Sequence, residues 1–335
     1  MMSEHAVGID VSKRKLDVCM ARGDKFKSKV LNNTATGHQR LLDWLKDREL
    51  DQADTPICLE ATGPYSEAVA IVLADAGWRV SVVNPARVKG FAQSQLSRNK
   101  TDKADARLLA VFARSVELER WDPPSHAHRE LRQLVDRLQA LIEMRQQECN
   151  RLEALEQSEP GSVENMVREH ISWLEQQIAR VESDIDDHID QNPDLKQDAE
   201  LIRSIPGIGS KTVARILAYV GDVRRFKSAK SLAAYVGVTP RQRESGSSIR
   251  GRTMMSRTGH AAARKSLYMP GLVATRRNPV IVAMAKRLKE RGLAPKAIVG
   301  ASMRKLAHMI YGVIKSGQPF DARIPLAGLA IQDGI

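Results

Sequence analysis

Apolar positions in the first 120 residues alternate between short runs and helical spacing. "AVGIDV" (6–11) is an apolar run broken by an acid, and "KLDVCMA" (15–21) follows a polar turn, so the two are expected to pair as a hairpin. In "GHQRLLDWLKD" (37–47), Leu41, Leu42 and Leu45 fall on one helical face. "TPICLE" (55–60) reads as a strand. "YSEAVAIVLADAG" (65–77) reads as a helix stopped by Gly77, and "WRVSVVNP" (78–85) as a strand cut off by Pro85. "TDKADARLLAVFARSV" (101–116) is a helix with Leu108, Leu109 and Phe112 at core spacing. A hairpin followed by strand, helix and strand predicts a mixed sheet with flanking helices, an α/β domain.

From His126 the period changes. Leu131, Leu134, Leu138 and Leu141 repeat at heptad intervals, Arg145 and Glu148 interrupt the seam, and Leu152 and Leu155 resume it. "SEPGS" (158–162) breaks this helix, and Ile171, Leu174, Ile178, Val181 and Ile185 form a second periodic run. The pattern predicts a helical hairpin, either an oligomerisation arm or an arm packed within its own chain. The acidic stretch "ESDIDDHIDQ" argues against nucleic acid on its outer face. Next, "LIRSIPGIGSKTVARILAYVG" (201–221) has the helix, Pro-Gly-Ile-Gly, helix order of a helix-hairpin-helix. There Gly207 and Gly209 would let backbone N–H groups approach a phosphate beside Lys211, although a plain interhelical turn has the same pattern. The remainder reads as helices, among them 278–292 and 296–317.

Composition changes this picture mainly through charge. The 335 residues carry a formal net charge of +12. Between Arg241 and Ile310 there are 16 Lys/Arg against two acids, Glu244 and Glu290, so this segment exceeds the charge of the whole chain. One-sided charge of that kind suggests a polyanion, because each neutralised phosphate releases counterions. Aromatic residues are only 4%, which disfavours stacking on unpaired bases as the main binding mode. No apolar run reaches membrane-spanning length, and no secretion signal opens the chain. Cys19, Cys58 and Cys149 have neither metal-ligand nor disulfide spacing, which suits the reducing cytoplasm.

The candidate chemistry lies in carboxylates at strand ends. Asp10 closes the first strand and Glu60 closes "ICLE", where α/β sheets place their sites. Asp102 and Asp105, three apart in "NKTDKADARLL", share a helix face. Each acid alone is more often structural, and Lys100 or Arg107 could simply pair with them. Together the four could hold a pair of divalent ions, with Mg²⁺ suited to hard oxygen ligands. A second candidate is "RQRESGSSIRG" (241–251), in which Ser245, Ser247 and Ser248 are bracketed by Arg241, Arg243, Arg250 and Arg252. By composition alone it is a polar loop.

The arrangement "GIDVSK … EATGPY … NKTDKADAR" resembles the ribonuclease-H-like (RuvC-like) Asp-Glu-Asp-Asp domain of a class of bacterial transposases. "SIPGIGSKTVARILAYVGD", "FKSAKSLAAYVGVTPRQRESGSSIRG" and "GHAAARKSLYMPGLVA" resemble the C-terminal domain of the same class, the insertion-sequence-110 family or bridge recombinases. The likeness spans about residues 5 to 322. It implies a RuvC-like catalytic domain over 1–125, a helical coiled-coil hairpin over 126–192, and a mainly α-helical transposase domain with a helix-hairpin-helix over 193–325. It further implies that Asp10, Glu60, Asp102 and Asp105 bind metal and that Ser245 is a nucleophile forming a phosphoserine–DNA bond. The implied partners are double-stranded target and donor DNA, a structured guide RNA that pairs with both, and further copies of the chain in a dimer or tetramer. Lys100, Gly207, Gly209, Lys211, Arg241, Arg243, Arg250 and Arg252 are the expected nucleic-acid contacts, and no membrane is involved. The competing readings are a metal-dependent Holliday-junction-type nuclease that uses water, and a non-catalytic DNA-binding protein. A sugar-kinase-like ATPase would need a later glycine-rich phosphate turn, which the sequence lacks.

Overall fold

The computed structural model describes residues 4–94, 101–155, 161–245 and 249–323, with backbone alone for Pro64, 242–245 and 249–253. The chain forms two compact units, Met1–Pro123 and Pro124–Ile335.

In the first unit, strands β1 (His5–Val11), β2 (Lys15–Arg22), β3 (Lys25–Asn32), β4 (Pro56–Glu60) and β5 (Arg79–Val83) form a sheet of order β3-β2-β1-β4-β5. The β1/β2 and β2/β3 pairs are antiparallel, whereas β1/β4 and β4/β5 are parallel. The mixed sheet is therefore as the sequence pattern predicts. Helices α1 (Ala35–Lys46), α2 (Pro64–Asp75), α3 (Pro85–Ser94) and α4 (Asp102–Ser115) flank it. Strand alternation divides the side chains between two cores. Val7, Ile9, Leu16 and Leu59 pack with Leu41, Leu45 and Leu73 of α1 and α2. Ala6, Cys58 and Val83 pack with Val88, Leu109 and Phe112 of α3 and α4. Cys58 belongs to packing rather than chemistry, since burial pushes its thiol up to about 12.

Two elements here depart from the pattern-based expectation. Strand β3, "KFKSKVLN", is mostly exposed and buries only Leu31, so it carries no alternation to read; its pairing with β2 makes it a strand. Pro85 ends the preceding strand and also opens α3, a position where a missing N–H costs nothing.

The second unit contains α5 (His126–Leu155), α6 (Ser162–Gln191), α7 (Pro193–Arg203), α8 (Ser210–Val220), α9 (Ala229–Val236), α10 (Ala261–Arg277), α11 (Pro279–Glu290) and α12 (Pro295–Ser316). Strands β6 (Pro240–Ser245) and β7 (Ile249–Met255) form a two-stranded antiparallel sheet between α9 and α10 in chain order. Helices α5 and α6, 30 residues each, pack on one another. Their Leu131, Leu138, Leu141, Leu174, Ile178 and Ile185 belong to one core with residues of α7–α12 such as Ile202, Val213, Leu267, Met303 and Ile310. The residues grouped as a separate hairpin over 126–192 thus pack within the larger second unit. At the seam's interruption Glu148 is buried, and both its oxygens accept from Arg151 at 2.7 and 2.8 Å.

Candidate active site and nucleic-acid interface

Alternation explains why the acids meet. Asp10 shares its strand face with Ala6 and Gly8, the face that α4 covers. The β1/β2 register sets Asp17 directly opposite Asp10, and Gly8 opposite Cys19. Gly8 is the contact point with the helix, because a Cβ there would lie 2.2 Å from the Ala106 carbonyl and 2.3 Å from the Ala110 nitrogen. No residue but glycine permits that approach. Two residues along the strand from Gly8 cover about 6.6 Å, and one helical turn back from Ala106 covers about 6 Å. These steps arrive at Asp10 and Asp102. Thr101 caps α4 by accepting from the Ala104 N–H at 3.2 Å, which fixes the helix start at Asp102.

The outcome is a tight acidic group. Asp10, Asp17 and Asp102 each offer a carboxylate oxygen, all within 4.8 Å of one another. Burial pushes Asp10 up to about 6, with the charges of Asp105, Asp102, Asp17 and Glu60 adding to it. Glu60 and Asp105 are therefore close enough to act on Asp10, although the tightest group among the described residues is Asp10–Asp17–Asp102. Only carboxylate oxygens are offered, a donor set that fits Mg²⁺ or Mn²⁺ and not a thiolate-seeking ion.

Two members of this site are not evident from the sequence. Asp17 is buried, and Lys15 places its Nζ 2.6 Å from Asp102 Oδ2 and 3.2 Å from Asp17 Oδ2. The hydrogen bond from Lys15 holds Asp102 below the usual carboxylate range, and Asp102 and Asp17 hold the lysine above its own. The register is needed to find Asp17, because a 12–14 turn read from the sequence would set residue 16, and not residue 17, opposite residue 10. The Lys15 ammonium sits where a divalent ion would take Asp102, so the two compete. Lys15→Met is accordingly expected to tighten Mn²⁺ binding on the order of tenfold in calorimetric titration. Weaker binding would mean that Lys15 instead pre-positions Asp102 for the ion.

The candidate nucleic-acid contacts lie in the second unit, apart from Lys100, which lies outside the described residues together with Ser247 and Ser248. Ser245 is the last residue of β6 and pairs with Ile249; Glu244 pairs with Arg250 and Arg243 with Gly251. The segment read as a polar loop and helices is thus a β-hairpin, whose pairing is not local in composition. Arg241 is exposed, and Arg252 lies within β7. Between α7 and α8, Gly207 has φ of 103°, and a Cβ there would lie 3.1 Å from Ala274 of α10. Its missing side chain is therefore accounted for by the turn and by packing. Gly209 has open space where a Cβ would be, and it caps α8 without a side-chain hydrogen bond. Lys211 is paired with Glu182 of α6 at 2.5 Å.

A family profile for Asp-Glu-Asp-Asp transposases of the IS110 type, described as "Transposase", matches residues 7–158. A second, "Transposase IS116/IS110/IS902 family", matches residues 199–285. The pilin gene-inverting protein of Moraxella bovis is 32% identical over 324 residues, 96% of this chain and 99% of that protein. The chain belongs to the IS110 transposase family. It is a transposase of that family, and its business is DNA recombination. The IS1111A transposase of Coxiella burnetii is 32% identical over 111 residues, covering 27% of this chain and 30% of its own length. Among solved structures, T. thermophilus RuvC in complex with a Holliday junction substrate aligns with 35% of this chain and 99% of that one, at 15% identity and a TM-score of 0.28. No helix among the described residues is long and apolar enough to cross a membrane.

Proposed function

We propose that this transposase cuts and rejoins DNA through a covalent phosphoserine–DNA intermediate at Ser245, with divalent metal at the acidic cluster and a structured non-coding RNA supplying sequence specificity. The convergence of Asp10, Asp17 and Asp102 around a half-buried Asp10, with Glu60 and Asp105 acting on it, is the observation that carries the reading. Burial and four neighbouring acids push Asp10 up to about 6, and a divalent ion there would relieve that repulsion. Asp10, Glu60, Asp102 and Asp105 would hold the metal, and Asp17 would be the remaining partner of Lys15.

When bound, the divalent ions would polarise the scissile phosphate and offset charge on the attacking and leaving oxygens. Ser245 Oγ forms a bond to phosphorus as the bond to a deoxyribose oxygen breaks. The serine gives up its proton, and the sugar oxygen takes one up. Reversal of the same step onto a different strand end rejoins DNA without ATP, because the phosphoester bond is conserved. A relative named for inverting a gene, an operation that needs both cutting and rejoining, supports that conservative course. Arg241, Arg243, Arg250 and Arg252 would offset the charge of the phosphorane-like transition state. The α7–α8 turn, with Gly207, Gly209 and Lys211, would act as a helix-hairpin-helix grip on duplex backbone. The α5–α6 pair would serve as a coiled-coil arm, assembling a dimer or tetramer in which the acidic domain of one protomer meets the serine of another.

The test combines protein, Mg²⁺, donor and target duplexes, and the RNA transcribed from the DNA flanking the gene. Rejoined recombinant strands are expected without ATP, and only when RNA is present. Recombination that proceeds equally without RNA would remove the guide from the account.

A further inference from the structure

Helix α12 buries Ile298, Met303, Leu306 and Ile310 and leaves one stripe half-buried: Gly300, Arg304, Lys305 and His308. Arg304 Nε and His308 Nε2 are buried without a hydrogen-bond partner, an arrangement that costs stability. Burial, followed by the charges of Arg304, Lys305 and Lys230, pushes His308 down to about 4. Burial and Arg287 push Lys305 below the usual lysine range. Lys230 belongs to α9 and Arg287 to α11, and both helices pack on α12. Cations from three helices thus act on His308 and Lys305, and the charges acting on those two are all positive. Such a cluster repels itself and is relieved by a polyanion.

The stripe also has a direction. At Gly300 a Cβ would lie 3.0 Å from Met255 Cε, so the end of β7 packs against α12 there. Strand β7 is the return strand of the hairpin whose other strand ends on Ser245. From Gly300 to His308 is eight residues, about 12 Å along the helix. The charged part, Arg304 to His308, covers four residues, about 6 Å, which matches about two phosphates of one DNA strand.

We infer that Arg304, Lys305 and His308, with Lys230 and Arg287, grip the phosphodiester backbone of the duplex DNA led to Ser245. The choice of DNA over RNA rests on the proposed role of Ser245, since the strand to be cut must pass the hairpin that packs on this stripe. His308 stays a neutral ring within the stripe, and the other groups contribute charge.

The test measures binding of the full-length protein to a DNA duplex and to an RNA duplex of the same sequence, by fluorescence anisotropy, between about 50 and 200 mM salt. Arg304→Gln/Lys305→Gln is expected to weaken DNA binding about tenfold or more and to reduce the log–log salt slope by about two, at 0.9 per phosphate contact. Lys196→Gln, a change in an ion pair with Asp190 outside the cluster, should leave both unchanged. Lys305→Gln alone, with an expected slope change of about one, serves if the double variant does not fold. Unchanged DNA affinity and slope in a folded variant would overturn the inference, as would a loss confined to RNA. Ser245→Ala should keep the wild-type slope. If the wild type forms no covalent adduct while the cluster variants still lose slope, the serine reading fails and the grip stands.

Discussion

Asp10→Asn is expected to abolish metal-dependent strand cleavage, a loss on the order of a thousandfold or more, while making the metal-free protein more stable at pH 7.5. The two effects have one cause. Burial and four neighbouring acids raise Asp10 from 3.8 to about 6. The folded state therefore holds a proton that the unfolded chain has released across that window. The stability associated with a protonated residue 10 is fully present below about 3.8 and is lost as pH rises through about 6. Asparagine imitates the protonated form at every pH, so its benefit should appear above pH 6 and vanish near pH 4. Melting curves in chelator at the two pH values measure this directly. A variant that loses cleavage and also melts earlier at pH 7.5 would mark Asp10 as structural, whereas the expected combination is that of a site strained for function.

Ser245→Ala is expected to eliminate covalent protein–DNA adducts and cleavage together, again on the order of a thousandfold, without altering Mn²⁺ affinity or duplex binding. The carboxylates lie on β1, β2, β4 and α4 of the first unit, and Ser245 ends β6 of the second. Removing one hydroxyl changes neither the charge of the acidic group nor that of the basic segment. Ser247→Ala and Ser248→Ala, tested alongside, should retain adduct formation. Persistence of cleavage at the normal rate in Ser245→Ala would favour the junction-nuclease alternative, in which water attacks.

The sequence was most legible where packing is local. The apolar run of β1, its hairpin partner β2 and the spacing of Leu109 and Phe112 in α4 predict a mixed sheet with helices, and those residues form its cores. It was less legible where a residue's role is set by what it faces. Asp17 looks like one polar position in an ordinary strand, and only the register shows it opposite Asp10. Gly8 reads as a mild strand defect, yet it lets α4 approach close enough to deliver Asp102. Gly207 reads as an opening for phosphate, and what the sequence does not show is its packing on Ala274, 67 positions away. The β6–β7 hairpin is not legible in the sequence, because arginine, serine and glycine carry little alternation and its strands depend on pairing with each other. The excess of cations after Arg241 was plain by count, but only the fold gathers Arg304, Lys305 and His308 with Lys230 and Arg287.

The central claim is that a serine and not water breaks the DNA strand. It is tested most directly by quenching a reaction of protein, Mg²⁺, DNA and flanking RNA in denaturant, digesting DNA and protein, and sequencing the peptides by mass spectrometry. The account predicts a nucleotide phosphate esterified to Ser245. Cleaved DNA with free phosphate and hydroxyl ends, and an unmodified Ser245 peptide throughout the time course, would contradict it.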